Sequence, residues 1–155
     1  MTRLWSALTG RRVARMRRHA QAGFTLIEML VVITIIGLIM ALVAPRVLNY
    51  LSESKAKAAK IQIESFGNAL DLFYLDAGHY PTTSEGLGAL VQRPGNSPTW
   101  NGPYLKGGIV PADPWGNAYI YRAPGQHGAY DIVSYGSDGQ EGGTGTASDI
   151  TSWTR

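Results

Sequence analysis

The longest apolar segment of the chain lies near its N-terminus. Residues 29–44 contain no charge, and adding residues 24–27 extends the segment with Glu28 as the only interruption. This is about the length that a helix needs to cross the hydrocarbon core of a bilayer. The pattern therefore predicts a membrane-spanning helix over residues 24–45.

The segment after Pro45 has the pattern of an amphipathic helix. Apolar side chains recur at spacings of three and four residues, and polar side chains occupy the opposite side. The apolar stripe consists of Ala59, Ile63, Phe66, Leu70 and Phe73. Gly78 can take the left-handed conformation of a helix C-cap, and Pro81 follows it. One helix of roughly fifty residues is therefore expected from Phe24 to the region of Asp76.

Shorter elements are predicted for the remaining sequence. Thr82 and Glu85 have the spacing of a capping box, and the apolar residues after them indicate a brief second helix. An antiparallel hairpin is expected from strands over residues 118–122 and 129–135, with a further short strand near Tyr104 or Ile109. The predicted fold class is α+β, with a long N-terminal helix packed on a small C-terminal domain that contains an antiparallel sheet.

Charge is distributed unevenly along the chain. Six of the 14 basic residues precede Gly23, whereas all 11 acidic residues follow it, so the sequence beyond Gly23 is mildly acidic. A nucleic-acid partner is therefore not expected, because such a protein needs its positive charge on the folded surface. The absence of cysteine excludes disulfides, thiolate-bound zinc and thiol catalysis.

The same arginines indicate the topology of the membrane segment. Basic residues before the apolar run place the N-terminus in the cytoplasm and the C-terminal domain on the other side of the membrane. Hydropathy alone is also compatible with a permanent signal anchor. Cleavage after Ala44 is not expected, because Pro45 and helix-like sequence follow it directly.

Two parts of the sequence resemble a known family. The segment GFTLIEMLVVITIIG, from Gly23 to Gly37, closely resembles the class III signal of type IV pilins and pseudopilins. YPTTSEGLGAL from Tyr80 and DPWGNAYIYRAPGQHGAYDIVSYGSDG from Asp113 resemble the major pseudopilins of type II secretion systems. Major type IV pilins usually close their C-terminal region with a disulfide, so the lack of cysteine favours the secretion pseudopilins.

The resemblance implies a processing pathway. Residues 1–23 would be a leader that a prepilin peptidase removes after Gly23, and Phe24 would become the N-methylated first residue of the mature chain. Met16 is an alternative start. A carboxylate inside an apolar helix is expensive and usually functional. The resemblance implies that Glu28 receives the terminal amine of a neighbouring subunit during assembly.

Two residues within the apolar helix indicate a weak point. Gly37 and Pro45 bracket a short apolar stretch, and proline removes one helical hydrogen bond and clashes with the preceding turn. We expect the helix to open between these two residues in a filament.

The C-terminal region contains few candidates for chemistry. His127 and Asp131 are residue types that can serve as a general base and the group that orients it. No candidate nucleophile stands out, so an enzyme is not expected. The glycine-rich residues 139–148 lack the lysine of a phosphate-binding loop. Trp115 and Trp153 are expected in the core.

The loop between Asp138 and Asp149 is a candidate calcium site. Carboxylate and carbonyl oxygens are the ligands that calcium prefers, although the spacing is not that of an EF-hand. The resemblance implies calcium as a cofactor, held by Asp138, Asp149 and the carbonyls of Tyr135 and Gln140. Ser148 stands where relatives often have aspartate and is a further candidate ligand.

The resemblance also implies a function. Residues 46–155 would form the periplasmic domain of a subunit that moves from the inner membrane into a homopolymeric pseudopilus. Its partners would include minor pseudopilins, an inner-membrane assembly platform and the ATPase of that platform. The alternatives are the major subunit of a type IV pilus or competence pseudopilus, and a monomeric membrane-anchored periplasmic domain.

Overall fold

The computed structural model describes residues 23–95 and 97–154. The predicted leader and the alternative start at Met16 thus lie outside the described residues, apart from Gly23. The chain divides between Met40 and Ala41 into two compact units.

The longest element is helix α1 (Leu26–Ala77, 52 residues). Thr25 caps its start, since the Thr25 Oγ1 accepts a hydrogen bond of 3.2 Å from the amide of Glu28. At the other end Gly78 has a φ of 77°, and its amide donates to the carbonyl of Tyr74 at 2.8 Å. Both the length of the helix and its end at Gly78 confirm the prediction.

The N-terminal part of α1 has the properties of a membrane segment. All described residues from Gly23 to Tyr50 are exposed in the isolated chain, although most are large and apolar. Of the helices in the described residues, α1 alone is long and apolar enough to cross a bilayer. A helix that is apolar on every side needs lipid or other protein around it.

The core of the second unit forms around the predicted apolar stripe of α1. All five stripe residues are buried, and Phe66 and Phe73 have no exposed surface. Phe66 meets Tyr119 edge-on, with 5.0 Å between the ring centroids. The stripe packs against side chains from the later segments, namely Leu87, Leu90, Leu105, Tyr121 and Ile132.

The predicted second helix is a short 3-10 helix (Gly86–Leu90). The capping box before it is present, since the amide of Thr82 donates to Glu85 Oε2 at 2.8 Å and the amide of Glu85 donates to Thr82 Oγ1 at 3.3 Å. Glycine destabilises a helix interior because it loses more backbone entropy than other residues. Gly86 and Gly88 therefore explain why the element stops after one short helical segment.

The sheet has three antiparallel strands in the order β1 (Ile120–Arg122), β2 (Asp131–Ser134) and β3 (Ile150–Thr151). The predicted β1–β2 hairpin is confirmed, with Tyr121 opposite Ile132. The third strand was predicted in the wrong place. β3 pairs with β2 through Val133 opposite Thr151, and residues 104 to 109 contain no strand.

The residues around Tyr104 form a loop for identifiable reasons. The Tyr104 hydroxyl donates to Asp76 at 2.7 Å, and its amide donates to the carbonyl of Leu90 at 2.8 Å, so the segment is held by contacts other than a strand ladder. Gly107 and Gly108 have φ values of 84° and 65°, which lie outside the region of strands. The predicted α+β class is correct, with the long helix packed on the small sheet.

Candidate functional site

The residues of the N-terminal motif lie directly before and within the first turn of α1. Gly23 and Phe24 precede the helix and are exposed. A side chain at Gly23 would meet no atom within 4 Å, so the fold does not require glycine at this position. A requirement for glycine there must come from a molecule that recognises the segment.

Glu28 lies in the first turn of α1. Its carboxylate is near the positive end of the helix dipole, which stabilises negative charge. Glu28 forms no ion pair within the described chain. The carboxylate is therefore available to a cation from outside that part of the subunit.

Gly37 and Pro45 both lie inside α1, which continues through them without a break. A side chain at Gly37 would meet no atom within 4 Å, so nothing in the described chain packs there. Pro45 has no amide hydrogen and cannot donate to the carbonyl of Ala41. The helix of the isolated chain thus contains one missing hydrogen bond between two regular segments.

The predicted calcium ligands lie in the loop that connects β2 to β3. Two glycines allow this loop to fold back on itself. A side chain on Gly136, which has a φ of 62°, would lie 2.9 Å from the carbonyl oxygen of Ser148, and one on Gly143 would lie 2.3 Å from that of Ala147. The start and the end of the loop are therefore adjacent through their backbones.

Asp149 is the better buried of the two predicted carboxylate ligands. Its Oδ2 accepts a hydrogen bond of 2.9 Å from the amide of Gly142. Its Oδ1 is buried and has no partner among the described residues. A buried acceptor without a partner is unfavourable, and a bound cation would satisfy it.

Asp138, Gln140 and Ser148 are exposed, and Tyr135 is half-buried. The Asp138 Oδ1 accepts a hydrogen bond of 3.2 Å from the amide of Gln140, so these two predicted ligands are adjacent. No hydrogen bond joins Asp138 to Asp149 within the described loop. In the described residues, no three histidine, cysteine or acidic side chains lie close enough together to hold a metal ion, so a cation here would need carbonyl oxygens. That donor set fits calcium better than a transition metal.

Sequence reasoning missed a buried cluster at the base of this loop. The carboxylate of Asp113 is buried and accepts hydrogen bonds from the amides of Trp115 and Asn117 at 3.0 and 2.8 Å and from the Ser134 hydroxyl at 2.6 Å. The Asn117 amide group donates to the carbonyl of Gly136 at 3.3 Å. The turn-forming sequence DPWGN was the available signal for this cluster.

His127 and Asp131 are in contact, with 3.2 Å between the His127 Nδ1 and the Asp131 Oδ2. Burial alone would raise the pKa of Asp131, but hydrogen bonds from the amides of Gln126 and His127 and from the His127 ring outweigh it and lower the pKa. No nucleophile accompanies this pair among its hydrogen-bond partners in the described chain. Its visible role is to close the turn between β1 and β2.

The two tryptophans that were expected in the core are placed differently. Trp153 is 38% exposed and stacks on the ring of His127. Trp115 is half-buried, and the Lys55 ammonium lies 6.0 Å from the centre of its ring. The core prediction is wrong for Trp153, because the short C-terminal segment lies at the edge of the sheet.

The N-terminal sequence matches a known motif. Residues 18–44 match the prokaryotic N-terminal methylation motif, and α1 begins within this match. A helix that begins within this motif with an apolar N-terminal part, and whose later part packs on a small antiparallel sheet, fits a pilin-like, membrane-anchored protein.

The remaining sequence identifies the family. Residues 46–153 match the model of type II secretion system protein G. The chain is 46% identical to the type II secretion system core protein G of Pseudomonas aeruginosa, over 89% of this chain and 99% of that protein. It is 44% identical to the core protein G of Vibrio cholerae, over 88% of this chain and 94% of that protein. The chain therefore belongs to the type II secretion system protein G family, that of the major pseudopilins.

The fold agrees with this assignment. A crystal structure of the major pseudopilin from the type 2 secretion system of enterohaemorrhagic Escherichia coli matches with a TM-score of 0.58 and 33% identity. The match covers 70% of this chain and 94% of that one. The resemblance inferred from the N-terminal motif and from the C-terminal sequence is thus confirmed, and this family is one of structural subunits.

Proposed function

We propose that the chain is the precursor of the filament subunit of a type II secretion pseudopilus. In this proposal it is cut after Gly23, methylated on Phe24 and polymerised into a periplasmic homopolymer that drives export through the outer membrane. The observation that carries the proposal is the exposed, apolar N-terminal half of α1, most of which lies within the methylation motif. Such a surface requires lipid before assembly and other subunits after it.

Processing is the step that is tested most directly. The chain is co-expressed with a prepilin peptidase, and the product is analysed by mass spectrometry. The proposal expects a mature chain that begins at N-methylated Phe24. An intact leader, or a new terminus after Ala44, would contradict it.

Before assembly, we place the protein in the inner membrane as a single-pass precursor with a cytoplasmic N-terminus. The arginines before Gly23 and the mildly acidic sequence after it support this orientation. The assembly platform, its ATPase and minor pseudopilins would act on this form as partners. A reporter enzyme that is active only in the periplasm, fused after Thr154, should be active.

Two features of α1 support roles in assembly. Glu28 has no ion-pair partner in the described chain, so it is suited to receive the N-terminal amine of another copy. The missing hydrogen bond at Pro45 makes the segment back to Gly37 the weakest part of the helix. We propose that this segment opens in the filament, and a filament map with unbroken helix from Leu38 to Ala44 would refute that.

Calcium is proposed as the ion that orders the loop between β2 and β3. The loop is rich in glycine and its residues 137–146 are all exposed, so ordering it costs entropy with little apolar burial in return. The buried, unpartnered Oδ1 of Asp149 supports a cation there. Asp138, Ser148 and the carbonyls of Tyr135 and Gln140 are the proposed additional ligands.

The calcium proposal is tested on the full chain in detergent micelles. An ion that binds only the folded state should raise the melting temperature with the logarithm of its concentration. Asp138→Ala and Asp149→Ala should remove the difference between calcium and chelator, and magnesium should substitute poorly. Calorimetry without saturable calcium binding by the wild-type protein would remove the metal from this account.

A further inference from the structure

Among the described residues of helix α1, Lys60 donates hydrogen bonds to the C-terminal segment. The Lys60 ammonium donates a hydrogen bond of 2.9 Å to the carbonyl of Thr151 and a second one to the carbonyl of Thr154. These carbonyls converge because the chain turns between them, where the hydroxyls of Thr151 and Thr154 lie 2.6 Å apart. Lys60 therefore holds a turn of the C-terminal segment against α1, across 91 positions of sequence.

The strand next to this turn is weakly held by its own ladder. β3 consists of two residues, Ile150 and Thr151, and pairs with β2 alone among the described strands. The pairing extends by one position, since the amide of Ser152 donates to the carbonyl of Ile132 at 2.9 Å and the amide of Ile132 donates to Ser152 Oγ at 3.1 Å. So short a strand depends on contacts outside the ladder for its position.

Asp149 immediately precedes β3. Its position relative to Tyr135, which immediately follows β2, is therefore set by how β3 lies beside β2. The loop that joins the two strands contributes the hydrogen bond from the Gly142 amide to Asp149, but its residues 137–146 are exposed. Lys60 is the donor from α1 that fixes the far end of β3.

We propose that Lys60 is a positioning residue for the calcium loop: its two hydrogen bonds fix β3 on α1 and thereby hold Asp149 in place for the ion. This inference rests on the proposed calcium site. Residues that orient metal ligands without touching the metal commonly affect affinity strongly. Lys60 would also connect calcium binding in the loop between β2 and β3 to helix α1.

The variant that tests the proposal is Lys60→Met, which keeps an aliphatic side chain but removes all three donors. Lys60→Arg keeps donors at the end of a long side chain. Lys57→Met is the matched control, because Lys57 lies one turn earlier on α1 and is exposed, without a hydrogen bond to the described part of the C-terminal segment. Lys60→Gln, a milder change that keeps an amide donor, is used if Lys60→Met does not fold.

Calcium binding to each full-length variant in detergent is measured by calorimetry. We expect Lys60→Met to weaken the calcium affinity by about tenfold, Lys60→Gln by less, and Lys60→Arg and Lys57→Met to bind nearly as the wild type does. Hydrogen exchange of the Ile150 and Thr151 amides, without calcium, should be faster in Lys60→Met than in Lys57→Met.

A purely structural role for Lys60 gives a different result. It would lower the melting temperature equally in chelator and in saturating calcium, and it would leave the calcium affinity unchanged. An unchanged affinity in Lys60→Met, with normal binding by the wild type, would overturn this inference and leave the calcium proposal intact. No calcium binding by the wild type would overturn both.

Discussion

The ring of His127 lies parallel to the indole ring of Trp153, with 3.9 Å between their centroids and 8° between their planes. The same His127 contacts the buried carboxylate of Asp131 through Nδ1. The turn between β1 and β2 is thus joined to the C-terminal segment that follows β3. One aromatic contact thus connects two regions that are distant in sequence.

We expect this contact to contribute measurably to stability. Trp153→Ala and His127→Ala should each lower the free energy of unfolding, and a double-mutant cycle should give a coupling of about 1 kcal/mol, as for other aromatic pairs. The measurement is chemical unfolding of the two single variants, the double variant and the wild type. Additive effects would show that the stacked rings do not interact energetically.

The lowered pKa of Asp131 predicts a loss of stability in acid. A carboxyl group with a folded-state pKa below its usual value of 3.8 stabilises the fold above that value and loses its contribution as the pH falls through the folded-state pKa. Asp131→Asn should therefore be less stable than the wild type at pH 7, and the difference should shrink below pH about 4.

Unfolding by urea at several pH values checks the Asp131 prediction. Glu64→Gln is a suitable control, because Glu64 is exposed and is not one of the proposed calcium ligands. A stability difference between Asp131→Asn and the wild type that stays constant down to pH about 3 would contradict the assignment.

Substitutions at Gly136 and Gly145 distinguish the effect of backbone strain on stability from the effect of a steric clash. Their φ values are 62° and 63°, but a side chain on Gly136 would lie 2.9 Å from the carbonyl oxygen of Ser148, whereas one on Gly145 would meet nothing within 4 Å. Gly145→Ala should lower stability by about 1 kcal/mol through backbone strain alone. Gly136→Ala should lower the free energy of unfolding clearly more, because the added side chain forces the two ends of the loop apart. Equal melting temperatures for the two variants would contradict this explanation.

Gly23 should be required for processing although the fold does not require it. Gly23→Val should block cleavage by the prepilin peptidase, because a subsite fitted to glycine has no room for a side chain. Gly37→Val is the matched control, since its site is equally empty, and its leader should still be removed. Normal processing of Gly23→Val in a peptidase co-expression assay would count against cleavage at this position.

Glu28 should be needed for assembly rather than for insertion. Glu28→Ala and Glu28→Gln should enter the membrane and be cleaved, but they should incorporate poorly into filaments because the carboxylate partner of the amine is lost. Glu53→Gln, an exposed position on the same helix, should assemble normally. Filament yield in sheared fractions is the measurement, and wild-type yield from Glu28→Gln would exclude a charge pair.

Local sequence signals were sufficient where short-range physics decides the structure. The stripe from Ala59 to Phe73 predicted the buried face of α1, since a helix repeats its faces every three to four residues. Gly78 predicted the end of that helix, and Thr82 with Glu85 predicted a capping box. Each of these features depends on residues within one or two turns of each other.

The candidate site was predictable to a lesser extent. Asp149 was identified from its residue type and from the family resemblance, but its unpartnered oxygen is visible only in the folded chain. Asp113 was missed because it is one acidic residue in a turn, and one of its hydrogen bonds comes from Ser134, 21 positions further along the chain.

The amino-acid sequence was sufficient to predict the apolar N-terminal segment, the motif at Gly23, the long helix and the β1–β2 hairpin, because each is a contiguous sequence pattern. The third strand, the exposure of Trp153 and the hydrogen bonds of Lys60 to the C-terminal segment depend on the tertiary structure. β3 has two residues, too few for an alternating pattern, and its place depends on β2 and on a lysine 91 positions away. Such contacts form only after the core has assembled, so no local pattern specifies them.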